Sequence, residues 1–410
     1  MTKMPAPDRQ NRPWAMQTEL VRAGLARTAF GETSEALFLN SGFTYASAAE
    51  AEARFTGEAQ GYVYSRYANP SLSMLEARLC ALEGAESCRL TASGMAAVHA
   101  ALMCQLSAGE RVVAQRALFS SCRWILDHLA PKWGIRVDYV DGIDLEQWRA
   151  ALATPAKAVL IESPSNPMLD LVDIAAVAAL AKPSGARVIV DNVFATPVLQ
   201  KPLALGADIV VYSTTKHMDG HGRTLGGAIL GTRAWVEEEL QPFVRHTGPA
   251  MSPFTAWIVL KGMETLALRV GQASASAAAL AAAIKPHPAI AAIAYPGDVD
   301  HPHAALARAQ MASGGPLLAI TLRGGKKAAF AFLDALRLVD ISNNLGDSRS
   351  LATHPATTTH RTLTPEERAH LGIGDGAVRL SIGLEAVEDL RADIGAALDA
   401  ALAAGAGKGA

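Results

Sequence analysis

Lys216 stands in the stretch STTKHMDGHGRTLGG, residues 213–227, behind three hydroxyl residues and ahead of histidines, an arginine and glycines. Three other stretches carry comparable chemistry. In TASGMAAVHAAL, Ser93 sits where it can cap a helix opened by Gly94 and Met95. The free N–H groups and positive dipole end of such a helix suit a phosphate. VIVDNVFATP ends an apolar run on Asp191, a carboxylate that is costly to bury without a cation. ESPSNP sets Asn166 between two prolines, in a rigid loop able to aim an amide.

Singly, each stretch has a plain explanation as a capped helix, a strand-end turn or a solvated lysine. Together, phosphate-binding groups, an acidic strand end and a lysine are what a pyridoxal phosphate site requires. Two other readings of the lysine stretch fail. His217 and His221 have the spacing of zinc ligands on a helix, but Met218 stands where a zincin has glutamate, and Asp219-Gly220 opposes a helix. GHGRTLG has the wrong glycine spacing for a dinucleotide loop and follows no strand directly.

The elements that must position these groups follow from apolar patterning. Short β-branched runs, RVVAQ, IRVDYV, KAVLIES, ARVIVDN and DIVVYST, alternate with helical segments such as GMAAVHAALMCQL and VDIAAVAALAK. Continuous apolar strands separated by helices predict an α/β fold with a mostly parallel sheet covered on both faces. Ligands gather at the C-terminal ends of such strands. SLSMLEARLCALEG reads as a helix ending on Gly84. Residues 1–67 read as an N-terminal arm without a long periodic element, and 68–261 as the large domain. Residues 262–410 read as a smaller α+β domain, built from PLLAITLRGG, a helix from about Lys326, LVDISNN, AVRLSIGLE and a C-terminal helix with a frayed AAGAGKGA tail.

Half of the 410 residues are hydrophobic and 19% are charged, with a net charge of -2 and both signs mixed. That balance permits a large core and opposes a nucleic-acid grip or a polybasic membrane anchor. Cys80, Cys88, Cys104 and Cys122 form no C-x-x-C pair and read as reduced thiols. The start, MTKMPAPDRQNRPW, has no apolar export segment, and apolar runs fall short of a membrane span. A cytoplasmic protein without a metal site is expected.

YVYSRYANPS, LEGAESCRLTASGMAAV, ESPSNPMLDLVDI, VDNVFATP and STTKHMDGHG together resemble the Cys/Met-metabolism family of pyridoxal-phosphate enzymes, in order from about Gly31 to Asp389. The resemblance implies fold type I, the aspartate-aminotransferase architecture, with pyridoxal 5'-phosphate as cofactor. It implies that Lys216 carries the cofactor as a Schiff base and then serves as mobile base. Asp191 would face the ring nitrogen, Asn166 the ring hydroxyl, and Gly94, Met95, Ser213 and Thr215 the phosphate. Tyr64 and Arg66 match the Tyr-x-Arg that reaches a neighbouring subunit's cofactor, which implies a homotetramer of two site-sharing dimers. Arg379 would clamp the substrate α-carboxylate, with Asn344 also at the substrate. Phe119 takes the place of the family's ring-stacking tyrosine, so it can stack but cannot move protons.

RTAFGETSEALFLNSGFTY, DGHGRTLGG and SNNLGDSRSLATHPATTTHR look like the branch that joins sulfide to O-succinyl-L-homoserine, giving homocysteine and succinate. Other branches usually carry Ser-Asp in place of Gly222-Arg223 and serine in place of Asn344. Cysteine as nucleophile, water-driven elimination, or an acetyl ester as donor are the alternatives. Arg223, Arg349 and Arg361 are the candidate readers of the succinyl group.

Overall fold

A computed structural model describes residues 14–406. Seven strands build the larger sheet: β1 (Ser87–Thr91), β2 (Arg111–Gln115), β3 (Arg136–Val140), β4 (Ala158–Glu162), β5 (Arg187–Asp191), β6 (Ile209–Ser213) and β7 (Gly227–Gly231). Their order is β1-β7-β6-β5-β4-β2-β3, and β7 alone runs against its neighbours. Alternation within single strands supplies both faces. Ala158, Leu160 and Ile189 enter one core with Ala97, Ala101 and Trp235, while Val159, Ile161, Val188 and Val190 enter another with Trp148 and Val177. Central strands buried on both sides explain why these runs are apolar throughout.

All five strands expected from β-branched runs form. β1 and β7 were not expected: SCRLT is short and half polar, and GAILG is bracketed by glycines. The glycine at the start of β7 is a packing requirement, because a Cβ on Gly227 would lie 2.3 Å from the Ser93 carbonyl oxygen and 2.5 Å from Thr91 Oγ1. β7 therefore fits beside β1 only as a glycine-edged strand.

The second sheet, β8 (Ile290–Ala294), β9 (Leu317–Leu322), β10 (Asp340–Ile341), β11 (Leu351–Thr353) and β12 (Ala377–Ser381), is ordered β10-β11-β12-β9-β8 and antiparallel except for β10–β11. Helices Gly325–Ala335 and Val387–Ala406 cover it through Phe332, Leu333, Leu390, Ile394 and Leu398. Much of the expected frayed tail is thus helical to Ala406, and its last four residues lie outside the described ones. Most of the MTKMPAPDRQNRPW stretch also lies outside them.

One expectation about apolar runs needs correcting. Helix Leu266–Ile284 is long and apolar enough to cross a membrane by length and composition. It is instead shared between two cores: Leu266 and Val270 pack beside the large sheet, and Ala277, Leu280 and Ile284 pack beneath the small one.

The N-terminal arm contains two short helices, Met16–Arg22 and Ala48–Thr56. A buried cation ties it down. Arg78 donates to the Ala23 and Leu260 carbonyls at 3.0 and 3.1 Å and pairs with Glu35 at 3.3 Å.

Two glycine substitutions should move stability in opposite directions. Gly227→Ala forces a methyl group onto backbone and should cost about 1–3 kcal/mol. Gly271→Ala, on an exposed helical face with open space at its Cβ, should stabilise by about 0.5–1 kcal/mol. Urea unfolding midpoints check both.

Candidate active site

Strands β4, β5 and β6 lie side by side and end on Glu162, Asp191 and Ser213. Above these ends is a cavity of about 950 Å³. The side chains lining it come from both sheets: Gly94, Met95, Phe119, Asn166, Asp191, Ser213, Thr215 and Lys216 from the large one, and Arg379 from β12. Nine of the sequence-predicted site residues are therefore gathered in one space.

Helix Gly94–Met103 points its N-terminus into this space. Ser93 Oγ accepts from the Ala96 N–H at 3.1 Å, and the Ser93 carbonyl accepts from Ala97 at 3.1 Å. The N–H groups of Gly94 and Met95 are left for another acceptor. A Cβ on Gly94 would lie 2.6 Å from Ser213 Cβ, so glycine lets the helix start approach β6. Backbone donors, the Ser213 hydroxyl and the Thr215 hydroxyl then face one pocket wall, a cradle suited to a phosphate. Thr215 is oriented by the Gly226 N–H, which donates to its Oγ1 at 3.1 Å.

Asp191 has no ion-pair partner among the described residues. Burial pushes its carboxyl up to about 6, against one donated N–H from Val193 at 3.1 Å. An uncompensated carboxylate beside a cavity calls for a cation there. A protonated pyridine nitrogen meets that need, and the phosphate cradle lies next to it. The donor set thus fits pyridoxal phosphate.

The lysine sits in a turn, not a helix. The Asp219 N–H donates to the Thr214 carbonyl at 3.0 Å and the Gly220 N–H to the Lys216 carbonyl at 2.8 Å. Lys216 Nζ donates to Asn344 Oδ1 at 2.6 Å. Burial, and then the charge of Arg379, lowers its pKa to about 8. A sizeable neutral fraction is therefore present near physiological pH, as a general base requires.

Arg379 is almost wholly buried. It donates to Asn166 Oδ1 at 2.9 Å and to the Asn343 and Asn344 carbonyls at 3.0 Å each. Burial lowers its pKa to about 10, opposed by the charge of Glu162. Asn344, expected at the substrate, accepts from Lys216 Nζ through its side chain and from Arg379 through its carbonyl, and Asn343 and Leu345 line the cavity on either side.

Glu162 was missed by sequence reasoning. Its carboxylate accepts from the Phe119 N–H at 2.7 Å and the Asn166 N–H at 2.8 Å, fixing the loops that carry both residues. Burial, then the charge of Asp191, pushes its pKa well above the carboxylate range. The signal was available, since AVLIE ends an apolar strand on a carboxylate just as RVIVD does.

Tyr64 and Arg66 do not line the cavity of their own chain. Arg66 lies over the Tyr64 and Tyr67 rings, 5.4 and 5.0 Å from their centroids, and donates to the Arg245 carbonyl. Among the three candidate acyl readers, Arg223 is clamped on buried Asp219 at 2.9 Å and Arg349 is exposed outside the cavity. Only Arg361 lines it.

Comparison with known proteins identifies the family. The profile of the Cys/Met metabolism PLP-dependent enzyme family matches residues 17–399. The chain is similar to the O-succinylhomoserine sulfhydrylase of Mycobacterium tuberculosis, 54% identical over 92% of this chain and 94% of the relative. It is 47% identical to the enzyme of the same name from Pseudomonas aeruginosa, over 94% and 96% of the two chains. Among solved structures, cystathionine gamma synthase from Xanthomonas oryzae pv. oryzae in complex with cystathionine superposes with a TM-score of 0.91 at 36% identity, covering 96% of this chain and all of that one. The aspartate-aminotransferase-like architecture, the pyridoxal phosphate dependence and the enzymatic nature expected from the sequence all stand, and the chain is a member of the Cys/Met metabolism family of pyridoxal-phosphate-dependent enzymes.

Proposed function

We propose that the protein converts O-succinyl-L-homoserine and sulfide into L-homocysteine and succinate, a γ-replacement in methionine biosynthesis. The observation that supports it best is the loop carrying Asn343 and Asn344. It holds the candidate base, Lys216, and the candidate carboxylate reader, Arg379, against each other across one cavity. The likeness to sulfhydrylases over nearly the full chain supports the same donor and nucleophile.

In this reading Gly94, Met95, Ser213 and Thr215 would hold the cofactor phosphate and Lys216 its aldehyde end. Asp191 would keep the ring nitrogen protonated, Asn166 would face the ring hydroxyl, and Phe119 would cover the ring. Bound there, pyridoxal phosphate supplies an electron sink that acidifies the substrate's Cα–H and then its Cβ–H. Arg379 fixes the α-carboxylate and so turns Cα toward Lys216 Nζ, which takes the proton. The Cγ–O bond breaks with its electron pair leaving on succinate, and a Cγ–S bond forms to sulfide. Phe119 has no hydroxyl, so Lys216 Nζ carries the proton between carbons.

The position of Tyr64 and Arg66 outside their own cavity, with Phe30 and Leu39 95% and 66% exposed on the arm, supports an assembly in which that arm crosses to a second subunit. A tetramer of two such dimers, in the cytoplasm, completes the proposal.

Three outcomes test it. Purified enzyme given O-succinylhomoserine and sulfide should release homocysteine and succinate in equal amounts. Cystathionine as the preferred product with cysteine, or 2-oxobutyrate as the main product with sulfide present, would reassign the reaction. In the apoprotein Lys216 should be acylated faster as pH rises, with a midpoint near 8, since only the neutral amine reacts; a midpoint above 10 would contradict the burial argument. Finally, Lys216→Ala and Arg66→Ala should each be nearly inactive alone. Co-refolded in equal amounts, they should regain roughly a quarter of wild-type activity, because half the dimers are mixed and each mixed dimer has one intact site. No recovery would argue against shared sites.

A further inference from the structure

O-succinylhomoserine carries two carboxylates, at the amino-acid end and at the end of the acyl chain. Among the described residues, the cavity is lined by three cationic side chains, Lys216, Arg379 and Arg361. Lys216 is engaged by Asn344, and Arg379 is buried and aimed by three oxygen acceptors. Arg361 is different in both respects. It is exposed, and its guanidinium makes no ion pair and no hydrogen bond with another described residue.

Its backbone is nevertheless held in place. The preceding residue, His360, is fully buried, and its N–H donates to the Pro355 carbonyl at 2.9 Å. The turn before it is pinned by His354, whose ring spans Thr357 Oγ1 and the Asp375 carbonyl at 2.8 Å each. Thr358 Oγ1 donates to the His354 carbonyl at 2.8 Å. A long cationic side chain on an anchored backbone, uncommitted within its own chain and facing a cavity, is arranged to meet an incoming anion. Leu225 and Ile341, both exposed cavity-lining residues, offer apolar contact for a short methylene chain on the way.

We propose that Arg361 is the specificity-determining residue that reads the terminal carboxylate of the acyl group. This rests on the succinyl ester being the donor. An acetyl ester lacks that carboxylate and gains nothing from Arg361, so the residue discriminates between the two esters. Arg223 is excluded by its clamp on Asp219 and Arg349 by its position outside the cavity.

The test measures kcat/KM with sulfide for O-succinyl- and O-acetyl-L-homoserine in wild type, Arg361→Gln, Arg361→Lys and Arg349→Gln. The succinyl-to-acetyl ratio should fall about 10- to 100-fold in Arg361→Gln, the loss expected for one charge-assisted contact. The fall should appear mainly as a higher KM for the succinyl ester. Arg361→Lys should recover part of it, and competitive inhibition by free succinate should weaken in parallel. Arg349→Gln should keep the wild-type ratio. An Arg361→Gln ratio within about threefold of wild type, or an equal fall in Arg349→Gln, overturns the inference while leaving the proposed reaction intact. A wild type that turns over the acetyl but not the succinyl ester overturns the donor assignment, and this inference with it.

Discussion

The buried guanidinium of Arg379 is the constraint on which the site depends. A cation removed from water must find acceptors, and this one takes them from two separate pieces of chain. Asn166 offers its side-chain oxygen from the loop after β4, and Asn343 and Asn344 offer carbonyls from the loop after β10. Arg379 itself belongs to β12 of the small sheet. Satisfying one charge therefore docks the small sheet on the strand ends of the large one, and the cavity lies between them. The same loop presents Asn344 Oδ1 to Lys216, so the group that can bind a carboxylate and the group that can move a proton share one support.

The lysine turn is held to that loop by close backbone approach. Gly220 and Gly222 have φ of +70° and +65°, where glycine is favoured. A Cβ on Gly220 would lie 1.9 Å from Arg269 Nη1, one on Gly222 2.7 Å from Asp347 Oδ2, and one on Gly346 2.6 Å from the His217 nitrogen. Arg223 closes the turn by clamping buried Asp219, while Arg269 donates to the His217 and Gly262 carbonyls at 2.7 Å each. The polar glycine-rich stretch after the lysine is thus scaffold. It sets where Lys216 Nζ points, and Arg223 is committed to Asp219.

Much of this was legible in the sequence, for a physical reason. Central strands buried on both faces must be continuous apolar runs, and a polar residue that ends such a run, such as Asp191, reads as a site. Glu162 obeys the same rule, but the turn-forming SPSNP directly after it makes the position read as an ordinary strand-end turn. β7 was hidden because packing against Ser93 and Thr91 demands glycine, which strand propensity penalises. The contacts of Asn344 depend on which loops Arg379 gathers, a long-range fact that local pattern does not carry. Arg223, Arg349 and Arg361 looked equivalent in sequence and were separated only by burial, pairing and position.

We propose that Lys216 is the residue to which the cofactor is joined. The direct measurement is to reduce the holoenzyme with borohydride, digest it and locate the added pyridoxyl phosphate mass by peptide sequencing. A single modified peptide carrying the mass on Lys216 is expected. Modification of any other lysine in its place, or none in an active preparation, would contradict it.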